Sequence, residues 1–312
     1  MSGFVTRFAP SPSGYLHRGH AYSAAIAYRA ARRANGRFLL RIEDIDKGRC
    51  RPEFDQAILD DLAWLGLKWE EPVRRQSSRF VHYANVLKML AKRGFLYRCF
   101  KTRREVAEEI ARAPNADVGM DAPDSELPGA PEGPPFVSGP IDMDEEKRRV
   151  FAGEPYAWRL STARARAAME SKGRRLTFVM ERLDGSGGER IDARPEIFGD
   201  PILGRKDFPA SYHLASVVDD ADQGVTHVIR GDDLAAAAHL HVLLQALLDA
   251  PTPIYRRHKL VCGPDGKRLA KRDKSETLRS LRAAGVPANQ VLADLGVEIP
   301  IDAPPPDSSA DH

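Results

Sequence analysis

Apolar and polar positions follow two periods along this chain, and their alternation predicts the elements. Val5 to Ala9 is an apolar run suited to a buried strand, and Ala21 to Ala34 has a helical period ending near Asn35-Gly36. Phe38 to Ile42 is a second apolar run. Glycine after the last periodic residue is a common helix stop, so the start reads as a βαβ unit with parallel strands. Glu53 to Leu65 sets Phe54, Ala57, Ile58, Leu62 and Leu65 on one helical face before Gly66, and Ser77 to Arg93 repeats the pattern before Gly94.

The pattern then breaks. Ala113 to Asp142 holds seven prolines and four glycines with almost no apolar periodicity, which predicts an extended, surface-crossing insertion and a poor contributor to any core. Regular structure resumes with a helix over Glu145 to Ala152, then strands at Tyr156 to Leu160 and Leu176 to Met180 on either side of an arginine-rich stretch. This middle block reads as a small lobe of its own.

Ser211 to Asp220 has a helical pattern, Thr226 to Leu234 a strand and a turn, and Ala235 to Leu248 another helix before Pro251 and Pro253. The βα alternation thus returns, and the fold class is α/β, a nucleotide-type fold split by the middle lobe. The expected divisions are 1–98 and 196–250 for the two halves, and 99–195 for the lobe with its proline-rich segment 113–142. A loop and helical segment follow over 251–300, then a disordered tail over 301–312.

Composition narrows the class. A chain of 312 residues can bury a substantial core, and 42% apolar with 29% charged residues is ordinary for a soluble protein. The net charge of +3 permits a polyanionic partner without requiring one. Cys50, Cys99 and Cys262 share no short spacing, so neither a disulfide framework nor a CxxC knuckle is visible. The amino terminus is too polar for a signal peptide, and Ala235 to Leu248, interrupted by His239, His241 and Gln245, is too short to span a bilayer. The expectation is a cytoplasmic protein with no membrane partner.

Candidate chemistry begins at "RFAPSPSGYLHRGH", Arg7 to His20, where a strand turns into a helix. A helix starting after His17 offers unpaired N–H groups and the positive end of its dipole to an anion. Gly19 lets a ligand approach the backbone, and His17 and His20 can donate to phosphate oxygens. The pattern is no Walker loop, and alone it reads equally well as two surface histidines at a helix start. Far along the chain, "GPDGKRLAKRDKS" (Gly263 to Ser275) supplies Lys267, Arg268, Lys271, Arg272 and Lys274. That run is either a solvated basic loop or the charge that a departing pyrophosphate requires.

HxGH followed by "KRLAKR" resembles the HIGH and KMSKS signatures of class I aminoacyl-tRNA synthetases. "RFAPSPSGYLH", "FLLRIEDID", "YHLASVVDD", "GVTHVIRGDDL" and "HVLL" resemble the glutamyl-tRNA synthetase group, in that order, over Thr6 to Lys274. A full glutamyl-tRNA synthetase continues into a helical anticodon-binding domain, whereas this chain ends soon after the lysine loop, as in the glutamyl-Q tRNA(Asp) synthetase family. The resemblance implies a class I Rossmann-like catalytic domain split by an inserted α+β acceptor-binding lobe, a short C-terminal helical segment and no anticodon-binding domain.

It also implies roles. His17, Gly19, His20 and Lys271 would bind ATP, with His17, His20 and Lys271 catalytic; Arg7 and Arg230 would hold carboxylates, Ser11 and Tyr212 donate hydroxyl hydrogen bonds, and Glu43 take the substrate ammonium. An arginine fork meets a carboxylate at two points, which lysine cannot. "EDID" (Glu43 to Asp46) has an alternative reading as a DxD site for Mg²⁺, or Asp44 and Asp46 support the turn. Two departures stand out. Ala270 fills a usual serine position, and Cys99 stands without a Cys-x-Cys partner because Lys101 occupies that place. The family's zinc is therefore not expected.

The implied partners are L-glutamate, ATP with Mg²⁺ as a substrate complex, and the anticodon stem-loop of tRNA(Asp) carrying queuosine, acted on by a monomer. The arginine-rich Arg159 to Arg175 stretch is a candidate for phosphate contact. Rival readings are a short glutamyl-tRNA synthetase charging a 3′ end, an HxGH nucleotidyltransferase, and a silent RNA-binding relative.

Overall fold

The computed structural model describes residues 3–112, 127–131, 133–205, 209–261 and 276–299. Its first half runs β1 (Val5–Phe8), α1 (Arg18–Arg33), β2 (Arg37–Ile42), α2 (Pro52–Trp64), β3 (Glu70–Arg75) and α3 (Phe80–Lys92). The lobe follows with β4 (Leu96–Cys99), α4 (Arg103–Arg112), α5 (Met143–Phe151), β5 (Ala157–Leu160) and α6 (Thr162–Ser171). Then come β6 (Thr177–Glu181), β7 (Gly188–Asp192), β8 (Ile202–Arg205), α7 (Tyr212–Asp222), β9 (His227–Gly231), α8 (Ala237–Leu247) and β10 (Ile254–His258). Helices α9 (Leu278–Ala283) and α10 (Ala288–Asp294) complete the described chain.

β1, β2 and β3 form one parallel sheet, and β9, β10 and β6 pair in parallel in another, edged by antiparallel β7. Thr226 joins the two sheets: its N–H donates to Val5 O at 2.9 Å and its Oγ1 accepts from the Val5 N–H at 2.8 Å. The spatial order is therefore β3-β2-β1-β9-β10-β6-β7, and the chain's progression reverses between β1 and β9. In open α/β sheets that switch point is where ligands bind, at the carboxyl ends of the strands.

Period-two alternation decides which side chains meet there. Phe8, Phe38, Leu40, Ile42 and Ile229 pack into the core shared with α1, α2, α9 and α10, while Val5, Leu39 and Val228 pack on the other side, toward α8. Arg7, Arg41 and Arg230 lie two residues beyond Val5, Leu39 and Val228, so three adjacent strands place an arginine on that second side. Buried large aliphatic side chains such as Leu40, Ile58 and Leu62 contribute roughly 1.5 to 3 kcal/mol each. Helix α8 is buried all round, as expected of a central helix.

Strand pairing partitions the middle of the chain differently from the expected division at 195. The lobe's sheet is β4-β5-β8, whereas β6 and β7 leave the lobe and extend the catalytic sheet through β10. Edge pairing over this distance leaves no trace in local periodicity.

Much of the proline-rich segment lies outside the described residues, and its described part adds one side chain to the core. Phe136 is buried, Arg159 sits over its ring at 4.3 Å, and Phe136 O accepts the Asp200 N–H at 2.7 Å. One aromatic among prolines gave no periodic signal. In the arginine-rich stretch, the side chains have partners within the chain. Arg159 and Arg164 donate to backbone carbonyls, while Arg166, Arg174 and Arg175 pair with Glu196, Asp249 and Asp192. These guanidinium groups are already engaged within the chain.

Candidate active site

His17 caps α1, its backbone extended at φ −126° and ψ 175°. The His17 Nδ1 accepts the Gly19 N–H at 3.1 Å, and the His20 Nδ1 accepts the His17 N–H at 3.3 Å, a reciprocal capping box built from imidazoles. A neutral ring whose Nδ1 accepts carries its proton on Nε2, so Nε2 is the donor of each histidine. The rings lie 3.9 Å apart. Gly19 gives the folded-back ring room: a Cβ there would sit 3.0 Å from His17 Cε1, so the ring would have to shift.

A cavity of about 430 Å³ opens at the switch point and is lined by Arg7, His17, Gly19, His20, Glu43, Tyr212 and Arg230. Residues separated by more than 200 positions thus share one wall. Ser11 lies in an adjoining cavity that shares Glu43 and Tyr212 with the first. Lys271 and the lysine loop are outside the described residues. A larger cavity of about 720 Å³ lies apart, along β3 between Arg37 and Asp222, and contains none of the residues singled out above.

Beneath the site, α7 presents Tyr212, Ser216, Asp219 and Asp220 at helical spacing to the three strand arginines. Asp220 takes Arg7 at two points, Nε to Oδ1 at 2.9 Å and Nη2 to Oδ2 at 3.3 Å, and also Arg41 Nη1 at 2.7 Å. Arg41 reaches on to Glu43 Oε1 at 3.3 Å, and the Ser216 hydroxyl donates to that same oxygen at 3.2 Å. Asp219 gathers Gln76, Tyr83 and Arg79. Removing water from so many charges is costly, and the mutual pairing offsets it. The two arginines hold Asp220 below the usual carboxylate range despite its burial. Burial pushes Glu43 upward, with Arg41 and Arg7 opposing.

Arg230 differs. It is 6% exposed, lies under the Tyr255 ring face at 5.1 Å, and neither Nη1 nor Nη2 has a hydrogen-bond partner among the described residues. Behind it His213 Nδ1 and His241 Nε2 meet at 3.1 Å. Burial, reinforced by the Arg230 charge, pushes His213 down to about 4 and His241 well below its ordinary range, so both rings are neutral at pH 7. A buried guanidinium with unused donors lining a cavity is a receptor for an anion.

The two aspartates of "EDID" turn to separate partners. Asp44 accepts from the Ser77 N–H at 2.7 Å and its hydroxyl at 2.5 Å, and Asp46 accepts the Gly48 N–H at 3.0 Å. They brace two turns, and no group of three or more His, Cys, Asp or Glu among the described residues could hold a metal ion. In the lobe, Cys99 is buried, and Lys101 pairs with Glu109 with its ammonium 5.7 Å from the Phe136 ring centroid. No described helix is long and apolar enough to cross a membrane.

Reading the sequence missed Arg41 and Asp220, which lie inside quoted motifs, and Ser23 and His258, which hydrogen-bond at 3.0 Å on the cavity wall. Leu39-x-Arg41 beside Val5-x-Arg7 is the strand alternation that could have found Arg41.

A family model described as tRNA synthetases class I (E and Q), catalytic domain, matches residues 4–127 and 146–297. The glutamyl-Q tRNA(Asp) synthetase of Rhodobacter capsulatus is 42% identical over 297 residues, covering 94% of this chain and 100% of that protein. That of Nocardia farcinica is 38% identical, over 97% of this chain and 87% of its own. Among solved structures, the glutamate-tRNA synthetase of Elizabethkingia anophelis superposes with a TM-score of 0.66 at 28% identity, over 87% of this chain and 53% of that one. These similarities establish that the chain belongs to the class I tRNA synthetases of the E and Q type and, within them, to the glutamyl-Q tRNA(Asp) synthetase family.

Proposed function

We propose that this protein activates L-glutamate with ATP and transfers the glutamyl group to queuosine in the anticodon loop of tRNA(Asp). The observation that carries the activation half is Arg230, whose Nη1 and Nη2 have no hydrogen-bond partner among the described residues and which lines the same cavity as the His17 and His20 pair. A fixed cation for a carboxylate and a donor pair for phosphate share one chamber.

In this reading Arg230 takes one glutamate carboxylate, and Arg7, pinned by Asp220 through Nε and Nη2, offers Nη1 to the other. Glu43 receives the ammonium, and Tyr212 and Ser11 donate hydroxyl hydrogen bonds. ATP enters with Mg²⁺ as its substrate complex, its phosphates meeting the Nε2–H groups of His17 and His20, the α1 amino end beside Gly19, and Lys271. An α-carboxylate oxygen attacks the α-phosphorus, the bond to the bridging oxygen breaks, and pyrophosphate leaves with the electron pair. Positioning and charge neutralisation are the protein's contribution. In the second step an acceptor hydroxyl attacks the glutamyl carbonyl, an ester C–O bond forms, and AMP leaves, its phosphate taking the proton.

The test uses ATP, labelled glutamate and tRNA(Asp) with or without queuosine, followed by cleavage of the RNA and location of the label. Label in the anticodon fragment only when queuosine is present supports the proposal. Label at the 3′ end would make the protein a short charging enzyme instead.

A further inference from the structure

The adjoining cavity, also about 430 Å³, has Glu43 and Tyr212 as its common wall with the first. On its catalytic side stand Ser11 and Gln76; on its lobe side stand Arg103 at the start of α4 and Arg205 at the end of β8. A ligand here would touch the residues assigned to glutamate while lying outside the chamber that His17 and His20 line. Its volume is within the range of pockets that take a small organic molecule, including a nucleoside.

Two independent features mark it as a built site. Gln76 is fully buried, its Nε2 donates to Asp219 Oδ2 at 3.0 Å, and its Oε1 has no partner among the described residues. An unused buried carbonyl is costly unless a ligand supplies a donor. Second, Arg103 and Arg205 have neither ion pair nor hydrogen bond among the described residues, although arginines elsewhere in the lobe, such as Arg166 and Arg175, are tied to acids. The cavity therefore combines one acceptor deep inside with two cations at its lobe side that have no partner among the described residues.

We infer that this cavity is the acceptor subsite, taking the RNA nucleoside that is to be glutamylated: Gln76 Oε1 accepts from a hydroxyl or ring N–H of that nucleoside, and Arg103 and Arg205 meet the flanking phosphates. The inference rests on the proposed transfer reaction and names where its second substrate sits. During transfer AMP still occupies the histidine side, so the acceptor hydroxyl must approach the carbonyl from another direction. The shared wall of Glu43 and Tyr212 provides it. Hydroxyl attack, ester formation and departure of AMP then proceed as above, with no further reactant.

The test is the double variant Arg103→Ala/Arg205→Ala, assayed for pyrophosphate exchange with ATP and glutamate and for transfer to queuosine-containing tRNA(Asp) over a range of salt. Exchange should stay within about twofold, the KM for tRNA should rise about tenfold, and the log–log salt slope should shrink by roughly 0.7 to 0.9 per lost phosphate contact. Arg103→Lys/Arg205→Lys, which keeps both charges, should restore most of the slope. Gln76→Leu, which also takes a donor from Asp219, should lower transfer more than it lowers exchange. A double alanine variant with the wild-type tRNA KM and salt slope overturns the subsite, whereas a wild-type protein that fails to label the anticodon fragment overturns the reaction on which it rests.

Discussion

Asp220 grips Arg7 at two points inside the protein, across 213 positions of sequence, and the same carboxylate accepts from Arg41, which in turn holds Glu43. The cation and the anion of the proposed glutamate pocket are thus set by one buried acid. Asp220→Asn keeps the shape but removes the charge, so Arg7 and Arg41 are left under-neutralised and less firmly aimed. A charge-assisted hydrogen bond contributes about 1.5 to 3 kcal/mol, so the KM for glutamate in pyrophosphate exchange should rise tenfold or more. The KM for ATP should change little. An equal effect on both substrates would mean that Asp220 only supports the fold.

Glu43 must be ionised to receive an ammonium group, and its burial raises its pKa above the ordinary 4.5. The anion is present above that raised value and lost as pH falls through it, so kcat/KM for glutamate should decline on the acid side at a pH above 4.5. Ser216 donates to the ionised Glu43. Removing it with Ser216→Ala should move the acid limb further upward. A limb at or below the ordinary value, unmoved by Ser216→Ala, would count against Glu43 as the ammonium receptor.

His17 serves two ends at once, capping α1 and presenting Nε2. His17→Asn retains a side-chain acceptor for the cap but cannot reach as far, so exchange should fall by about 10² while stability changes little. His17→Ala loses both functions, adding about 1 kcal/mol of destabilisation by urea unfolding. Lys271→Ala should slow exchange by roughly 10²- to 10³-fold with glutamate binding nearly intact, since its charge is needed only as pyrophosphate departs. Normal exchange in the lysine variant would remove Lys271 from the reaction.

Metal analysis offers a simpler check on the lobe. Cys99 is its cysteine among the described residues, and the ammonium of Lys101, paired with Glu109, stands two positions on. A site of that composition repels a divalent cation, so purified protein should carry no stoichiometric zinc, and protein treated with chelator, freed of it and assayed with Mg²⁺ restored should keep its activity. One tightly held zinc per chain would contradict this.

Local features carried much of the site into view from sequence. The strand, cap and helix around His17 are contiguous, and the sequence reading began that helix just after His17, as α1 does at Arg18. Arg230 and Tyr212 lie in strand and helix patterns that identify themselves by period. What stayed hidden is pairwise and distant. Nothing near Arg7 reveals that Asp220 will neutralise it, and nothing near Thr177 reveals that β6 will pair with β10 rather than with the lobe. Gln76 escaped notice for a related reason: an unsatisfied carbonyl is a property of its surroundings, assembled only when α3, α7 and β8 come together.

Asp61 provides a test of the electrostatics away from the catalytic chamber. It lies on α2 facing α9, fully buried, with neither carboxylate oxygen hydrogen-bonded among the described residues and Arg282 Nη2 at 3.5 Å. Burial pushes it from an ordinary 3.8 to about 6, with Arg282 opposing. A carboxyl raised in the folded state favours folding fully below its unfolded pKa and loses that contribution as pH rises through the folded one. The ionised group therefore costs stability above about pH 6, and Asp61→Asn should relieve that cost by on the order of 1 to 3 kcal/mol at pH 8, with the benefit fading to nothing below about pH 4. Arg282→Met, which removes the larger opposing charge, should act in the reverse direction at pH 8 because it leaves the buried anion with only the weaker pull of Arg279. Urea unfolding of the two variants at pH 8 and pH 4 reads both signs. If Asp61→Asn were destabilising at pH 8, the ion pair with Arg282 would outweigh the desolvation of Asp61.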